Sequence, residues 1–397
     1  MDDNTRQYIR ENLNADVPTL ALQKAPVGTD VSLALRQIEA RQLLRKKVPG
    51  WSANEDLLFP ARLSIEQGSS EATAQYKARR VEGRTFADLT GGLGVDTYFI
   101  AQHFAQAHYV EPNPELCALA RHNFATLGVH IEVHNETAEH HLTHCEPMDC
   151  IYLDPARRDR HGRKTVAVAD CTPNVAVLQD SLLQKAETVI IKLSPMLDIS
   201  KALEELHHVK EVHVVAVANE CKELVFVMEH GFSGLTELHC VNLQTSQPEM
   251  RFTLDEERDC PLELAETMGK YLYEPNAALL KAGCFKLPAH RFGLCKLHQH
   301  SHLYTSDSLC SRFPGRIFEV EGWASYDKRV RQTLLAGLVQ ANLAVRNFPL
   351  GVAQLRQTLR MADGGDCYLF ATTLGRVGKV MVKTKKTAPT REQPKTK

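Results

Sequence analysis

A glycine-rich turn between an apolar strand pattern and a helical pattern is the feature that most constrains the fold of this 397-residue chain. In the stretch 86–96, a short apolar run ends in Asp88, and three glycines follow within six residues. A helical pattern then begins at Thr97. Glycine allows backbone conformations and close approaches that other residues resist. Strand, glycine turn and helix together predict an α/β sheet that binds a nucleotide-like ligand beside the turn.

The glycine spacing excludes two familiar phosphate sites. In a dinucleotide fingerprint, Gly92 and Gly94 would be the first two glycines, but Thr97 stands where the third is needed. A P-loop needs a Gly-Lys-Ser/Thr triplet, which does not follow. The remaining pattern, acid-x-Thr-Gly-Gly-x-Gly, resembles motif I of class I S-adenosylmethionine-dependent methyltransferases. The variant is similar to the loop of some 16S rRNA guanine-N2 methyltransferases. A turn without a ligand is the alternative interpretation of this loop alone.

A second acidic residue follows the turn at the expected separation. Glu111 ends the next strand pattern, 23 residues after Asp88. An acid about 20 residues past the glycine turn binds ribose hydroxyls in α/β nucleotide sites. After the third strand, Thr137 aligns with the aspartate that the methyltransferase family holds near adenine, and Glu136 or a backbone group is the alternative contact. The resemblance implies S-adenosylmethionine as the cofactor. The predicted cofactor-binding residues are Asp88, Thr90, Gly92, Gly94, Glu111 and Thr137.

The fourth strand pattern, 149–153, runs into Asp154-Pro155-Ala156-Arg157. This resembles motif IV, where an acid or amide followed by Pro-Pro-aromatic marks amino-group methyltransferases. The Asp-Pro-x-Arg order resembles instead that of the RNA 5-methyluridine enzymes. The resemblance implies Asp154, Pro155 and Arg157 as the catalytic residues, because Asp154 can hold an exocyclic N–H. Arg157 stands where the stacking aromatic is expected, and a solvated ion pair is its alternative role.

Covalent chemistry is the less favoured mechanism. The 5-methyluridine enzymes attack the base with a cysteine after the fifth strand, and Ser194 stands roughly at that position. Serine is a much weaker nucleophile than a thiolate. Cys221 is a possible substitute, although a buried structural role is favoured for it. We therefore expect direct methyl transfer to nitrogen or oxygen.

The patterns predict a doubly wound, seven-stranded Rossmann-like α/β sheet between an N-terminal helical region and a C-terminal α+β domain. Asp30 is predicted to cap a helix over Val31–Lys47, and Ser69 or Ser70 a helix over Glu71–Val81. The predicted segments are a helical region (1–80), a methyltransferase domain (81–235), a connecting ferredoxin-like α+β region (236–320), a THUMP-like domain (321–383) and a disordered basic tail (384–397).

Charge is distributed unevenly along the chain. Residues 1–280 carry 27 Lys/Arg and 41 Asp/Glu, whereas residues 281–397 carry 20 and 7. A basic terminal region beside an acidic catalytic one predicts contact with a polyanion. Mutual attraction of the two regions is the alternative. The C-terminal order of strands and helices resembles THUMP-like and ferredoxin-like modules, and THUMP domains proper bind RNA.

Composition limits location and metal content. No run of 18 apolar residues occurs, so we expect no membrane span. The eleven cysteines include no C-x-x-C pair, and the N-terminus lacks a secretory pattern, which favours the reducing cytoplasm.

Two groups of histidines are considered as metal ligands. His140 and His144 have helical spacing beside Cys145, and His298, His300 and His302 alternate, which would put them on one face if the segment is a strand. Neither group alone offers enough convergent ligands, so no metal site is predicted.

The sequence therefore predicts a cytoplasmic S-adenosylmethionine-dependent methyltransferase that acts on RNA through its basic C-terminal region. A methyltransferase of a small molecule or a protein is one alternative. An RNA-binding protein with a degenerate methyltransferase fold is the other. The pattern does not specify the methylated atom or the oligomeric state.

Overall fold

The structure is a computed structural model that describes residues 1–157, 167–327 and 329–387. The chain divides into two compact units, Met1–Val212 with Glu223–Leu235, and His213–Lys222 with Thr236–Lys397. This division is coarser than the five predicted segments, which stay a prediction. Among the described residues, no helix combines the length and the apolar character that crossing a membrane requires.

The first unit begins with six helices. They are α1 (Asp3–Glu11), α2 (Val17–Leu20), α3 (Val31–Lys47), α4 (Pro49–Ala53), α5 (Arg62–Gln67) and α6 (Glu71–Ala78). The predicted bounds of α3 are confirmed, and Asp30 caps it by accepting from the Leu33 N–H at 3.0 Å. Ser70 caps α6. The helices bury Trp51 and Phe59 in a core that also contains Leu93 of the glycine turn.

A predominantly parallel sheet follows these helices in the chain. Its first strands are β1 (Gly83–Asp88), β2 (Phe104–Val110), β3 (Glu132–His134), β4 (Met148–Leu153), β7 (Ala186–Leu193), β8 (Val209–Val217) and β9 (Glu220–Glu229), with the short pair β5 (Ala156–Arg157) and β6 (Cys171–Thr172) apart from it. The order β8-β9-β7-β4-β1-β2-β3, with β9 antiparallel to β7, contains the predicted seven strands, and two later strands extend it beyond β8 to nine. Residues 213–222 of β8 and β9 belong to the second unit. The connecting helices are α7 (Val95–Ala101), α8 (Pro114–Thr126), α9 (Ala138–His144), α10 (Val175–Lys185) and α11 (Ile199–Glu205).

The predicted site residues follow strands that are neighbours in this order. β1 ends at Asp88, β2 is followed by Glu111, and β4 is followed by Asp154. β1 pairs in parallel with both β2 and β4. The carboxyl ends of parallel strands meet at one edge of a sheet, and ligands of open α/β sheets bind there. The topology therefore brings both predicted motifs to one edge.

The second unit is built on two groups of strands. Its strands are β10 (Glu237–Leu243), β11 (Met250–Thr253), β12 (Tyr271–Pro275), β13 (Cys295–Lys296), β14 (Tyr304–Ser306), β15 (Gly315–Ser325), β16 (Asn342–Val345), β17 (Cys367–Leu374) and β18 (Gly378–Lys386). Its helices are α12 (Leu254–Asp259), α13 (Ala277–Ala282), α14 (Leu287–Phe292), α15 (Val330–Thr333) and α16 (Val352–Leu359). β10 pairs with β11, and β12–β18 form a seven-stranded sheet in the order β13-β14-β12-β15-β18-β17-β16. Phe318 and Phe370 pack in its core.

Three local predictions in this unit are wrong. The predicted helix over 328–341 is reduced to α15, because Gly337 has a φ of +75°, which a continuing helix does not allow. β18 extends to Lys386, so residues 384–386 belong to the sheet rather than to a disordered tail, and residues 388–397 lie outside the described part. His298, His300 and His302 lie in a turn between β13 and β14, not on one face of a strand.

Candidate functional site

Asp88 is a buried anchor for the glycine turn. Its Oδ2 accepts from the Thr97 hydroxyl at 2.6 Å, and its Oδ1 accepts from the Thr90 N–H at 2.9 Å. Burial raises the pKa of Asp88 to about 7, although both hydrogen bonds oppose the rise. Because both oxygens bind the turn and α7, Asp88 fixes the loop rather than projecting from it. Thr97, at the position of the missing third glycine, is part of this anchor.

The turn needs glycine at its glycine positions for two different physical reasons. Gly92 and Gly94 have φ values of +53° and +83°, which favour glycine. A Cβ on Gly91 would lie 2.2 Å from the Tyr109 ring, so only glycine lets the turn pass this close to β2. The Tyr109 hydroxyl donates to the Gly92 carbonyl at 2.7 Å. Gly91 therefore accommodates an aromatic ring that supports the loop.

The Glu111 carboxylate faces the glycine turn and is buried. Its Oε2 accepts from the Gly92 N–H at 3.0 Å, and its Oε1 accepts from the Asn113 N–H at 2.9 Å. A carboxylate oxygen can accept two hydrogen bonds, so each oxygen keeps one acceptor position for another donor. A pair of ribose hydroxyls has the chemistry that these two positions accept. The residues present therefore fit the nucleoside part of S-adenosylmethionine.

Thr90 connects the two predicted motifs. Its hydroxyl oxygen accepts from the Asp154 N–H at 2.6 Å. A glycine at position 90 could not make this bond, because it has no side chain. The hydroxyl therefore fixes the start of the Asp154-Pro155 segment against the glycine turn.

Asp154 forms a salt bridge with Lys192 of β7. The Lys192 side chain is only 11% exposed, and its ammonium also donates to the Ser69 hydroxyl at 3.3 Å. Burial alone would lower the pKa of Lys192, but the carboxylates of Asp154 and Asp96 outweigh it and raise that pKa above its usual range. The ammonium therefore stays charged and orients one oxygen of Asp154. The Asp154 side chain remains 32% exposed, so part of the carboxylate is open to an acceptor.

A second lysine completes a buried charged network behind this pair. Lys77 lies 3.1 Å from Asp96 Oδ1 and 2.7 Å from Glu223 Oε1. Asp96 Oδ2 accepts from Ser69 at 2.6 Å and from Tyr152 at 2.8 Å. Burial would raise the pKa of Asp96, but the two lysine ammonium groups lower it below its usual value. Buried charges need such partners, since unpaired ones are costly.

The sequence reasoning missed this network, although two signals for it were present. Lys192 is a charged residue near the end of an otherwise apolar, buried strand. Ser69 and Lys77 belong to a polar segment directly before the sheet. A charge in such a position requires a partner, and the end of a central strand is where a site forms.

The structure places the remaining candidate residues of the sequence analysis as follows. Pro155 is buried beside Asp154, and the Arg157 side chain lies outside the described part of the structure. The Thr137 hydroxyl caps α9 by accepting from the His140 N–H at 3.2 Å. The Ser194 hydroxyl accepts from the Met196 N–H at 3.2 Å, within the turn that follows β7. Thr137 and Ser194 therefore each have a local structural role.

Comparison with known proteins finds similarity along nearly the whole chain. A crystal structure of a proposed methyltransferase from Porphyromonas gingivalis W83 is 36% identical, covers 97% of this chain and 98% of that one, and superposes with a TM-score of 0.87. An uncharacterized S-adenosylmethionine-dependent methyltransferase of Mycobacterium tuberculosis is 25% identical over 314 residues, which are 79% of this chain and 84% of the relative. Residues 271–314 match a ferredoxin-like domain family, and residues 315–386 match a family described as THUMP domain-like.

Proposed function

We propose that this chain, which belongs to the class I S-adenosylmethionine-dependent methyltransferases, methylates an exocyclic amine nitrogen of RNA. The proposal rests on the contact between the glycine turn and the Asp154-Pro155 segment. The Asp154 N–H donates to Thr90 of the glycine turn, and the Asp154 carboxylate is held by Lys192. An acceptor bound to that carboxylate would therefore lie next to the donor loop.

On the donor side, we assign ribose binding to Glu111 and loop geometry to Gly92 and Gly94. The assignment is supported by the 2.9 and 3.0 Å hydrogen bonds that hold the glutamate in position before any ligand arrives. Asp88 and Thr90 act by fixing the loop. Thr137 is proposed only to start α9 beside the adenine position, because its hydroxyl already caps that helix.

The bound donor supplies an activated methyl group on a sulfonium. The protein therefore has mainly to position the acceptor for in-line displacement, and good alignment contributes about 7–11 kcal/mol. Asp154 accepts one N–H of an amine and stabilises the positive charge that develops on its nitrogen. The Pro155 carbonyl is proposed to accept the second N–H. Lys192 is a positioning residue, since it orients Asp154 without reaching the acceptor.

Nitrogen is favoured over covalent attack at carbon 5 of a pyrimidine. Ser194, which stands where that chemistry needs a cysteine, accepts a hydrogen bond in its own turn. A serine without a strong base beside it is a far weaker nucleophile than a thiolate. The partly exposed Asp154 carboxylate, which can accept an N–H, supports the amine instead.

The RNA acceptor is supported by the second unit. The THUMP domain-like match over residues 315–386 falls in the region where basic residues exceed acidic ones. Within it, Arg376, Lys379, Lys385 and Lys386 are exposed, and none of them forms a salt bridge among the described residues. Exposed unpaired cations are the groups that bind phosphates. By contrast, Arg316 and Arg346 are paired with the buried Glu274 and serve the fold.

A salt titration tests the RNA contact. Removing two phosphate-binding cations in Lys385→Ala/Lys386→Ala should weaken RNA binding and lower the slope of log K against log salt by about 1.4–1.8. The matched control is Lys24→Ala/Lys46→Ala, which removes two exposed lysines of the first unit. Equal effects of the two double variants, or binding that ignores salt, would contradict an RNA acceptor and favour a small molecule or a protein.

Transfer of a tritiated methyl group tests the acceptor residue. Total RNA from a strain lacking this protein is the substrate, because its sites are unmethylated. Asp154→Ala should abolish labelling of the RNA while calorimetry still measures donor binding. Retained turnover in this variant would mean that another residue holds the acceptor.

A further inference from the structure

A cluster of imidazoles and carboxylates in the first unit has no part in the proposed reaction. It lies on β2, on β3, in the loop that follows β3 and on α9. Its members are His108, Glu132, His134, Glu136, His140, His141 and His144. Of these residues, the prediction of no metal site considered only His140 and His144, beside Cys145. The pairing of β2 with β3, and the return of the chain into α9, add ligands that sequence spacing does not reveal.

One oxygen of Glu136 is the centre of this cluster. Its Oε1 lies 2.8 Å from His141 Nδ1, 3.4 Å from His144 Nε2 and 4.0 Å from His134 Nδ1. A tetrahedral ion with ligand bonds near 2.1 Å separates its ligand atoms by about 3.4 Å. The three distances from Glu136 Oε1, 2.8, 3.4 and 4.0 Å, bracket this separation of 3.4 Å. His134, Glu136 and His141 also offer ligand atoms that all lie within 4.8 Å of one another.

His144 lies on the outer side of this cluster. Its Nδ1 donates to the His140 carbonyl oxygen, 3.0 Å away, so its Nε2 is the nitrogen that lies 3.4 Å from the Glu136 carboxylate. With Glu136 and His140, it forms a separate group of neighbouring ligand atoms on the exposed side of α9.

Burial and outer contacts favour the inner histidines as ligands. The His141 side chain is 4% exposed, and among the described residues its Nε2 has no hydrogen-bond partner. Among the described residues, the His141 ring therefore has its hydrogen bond with Glu136 and ring contacts with His108, His134 and His144. His134 Nε2 lies 3.0 Å from His108 Nδ1, so a second imidazole can orient the His134 ring. The Glu136 side chain is 16% exposed, and the exposed His140 and His144 leave a path for an ion from solvent.

We propose that Glu136, His134 and His141 bind a first-row divalent transition-metal ion of the Zn²⁺ type, with water at the fourth position. Imidazole nitrogen is a ligand that suits such ions, whereas Mg²⁺ and Ca²⁺ prefer sites made of oxygen atoms alone. The ion would fasten the loop after β3 to α9. The same loop contacts the donor site, since the Asn135 side chain donates to the Glu111 carbonyl at 3.0 Å.

The test uses the full-length protein without a histidine tag, stripped of metal with a chelator. Calorimetry with Zn²⁺ should give one tight site, and the melting temperature should rise on addition of the ion. Bound Co²⁺ should show the strong visible absorption of a four-coordinate ion. Glu136→Gln and His141→Asn should each weaken Zn²⁺ binding by at least about tenfold. His130→Asn, which removes an exposed histidine outside the cluster, should leave binding unchanged.

Two results would overturn the proposal. Zn²⁺ that binds no better to the wild type than to Glu136→Gln would show that the cluster is not a site. Binding lost in His140→Asn/His144→Asn but retained in Glu136→Gln and in His134→Gln would mean that the ion sits on the helix surface. His134→Gln also provides a second inner variant if His141→Asn fails to fold. None of these measurements depends on methyl transfer.

Discussion

The role of Glu111 gives a sharp prediction for the donor site. Two ribose hydroxyls would each donate to its charged carboxylate, and hydrogen bonds to charged groups contribute about 1.5–3 kcal/mol each. Glu111→Ala also removes the acceptors of the Gly92 and Asn113 N–H groups, so the loop loses its preorganisation. At about 1.4 kcal/mol for each factor of ten, we expect the Kd for S-adenosylmethionine to rise at least about 100-fold.

Calorimetry with matched variants measures this effect. Glu111→Gln keeps one acceptor oxygen and should weaken binding less, by about tenfold. Glu115→Ala is the control, since that side chain is 62% exposed and pairs with Arg36 on the surface. Circular dichroism shows whether each variant is folded. A folded Glu111→Ala protein that binds the donor as tightly as the Glu115→Ala control would refute the proposed role of Glu111.

Three further predictions concern stability. Lys192→Met leaves the partly exposed Asp154 carboxylate without its cation and Asp96 with Lys77 alone, and should lower the free energy of unfolding by about 1–3 kcal/mol in urea titrations. Gly91→Ala drives a Cβ against the Tyr109 ring and should cost about 1–3 kcal/mol in the same assay. The folded pKa of Asp88, about 7, exceeds its unfolded value, so this residue should lower stability as the pH rises from about 4 to 7. Asp88→Asn should flatten that pH dependence.

Each of the three stability predictions has a result that would contradict it. A Lys192→Met protein as stable as Lys201→Met, which alters an exposed lysine, would mean that the network does not depend on that cation. A Gly91→Ala protein of wild-type stability would show that the ring of Tyr109 moves aside without cost. An unchanged pH profile in Asp88→Asn would show that another group titrates.

The parts of the fold that local pattern determines were predicted from sequence. The strand, the glycine turn and the helix 31–47 follow from periodicity, turn chemistry and the Asp30 cap. The helix over 328–341 failed, because Leu335 packs into the core of the second unit while Gly337 ends any continuous helix. Leucines with helical spacing can also pack into a core from a turn, so the spacing did not distinguish a turn from a helix.

The site was predicted in part for the same reason. Asp88 ends a strand, and Glu111 and Asp154 each follow one, so order along the chain locates them. Lys77 and Glu223 are 146 residues apart, and their contact depends on tertiary structure alone. The histidines around Glu136 required the pairing of β2 with β3. Sequence pattern therefore locates strand ends, but it does not reveal which distant charges meet behind them.

Identification of the methylated nucleoside tests the central claim most directly. Total RNA from a strain lacking this protein is incubated with the enzyme and labelled donor, then digested and analysed by mass spectrometry. We predict that the label is found in a nucleoside methylated on an amine nitrogen. Label on carbon 5 of a pyrimidine, or label confined to protein or small molecules, would contradict it.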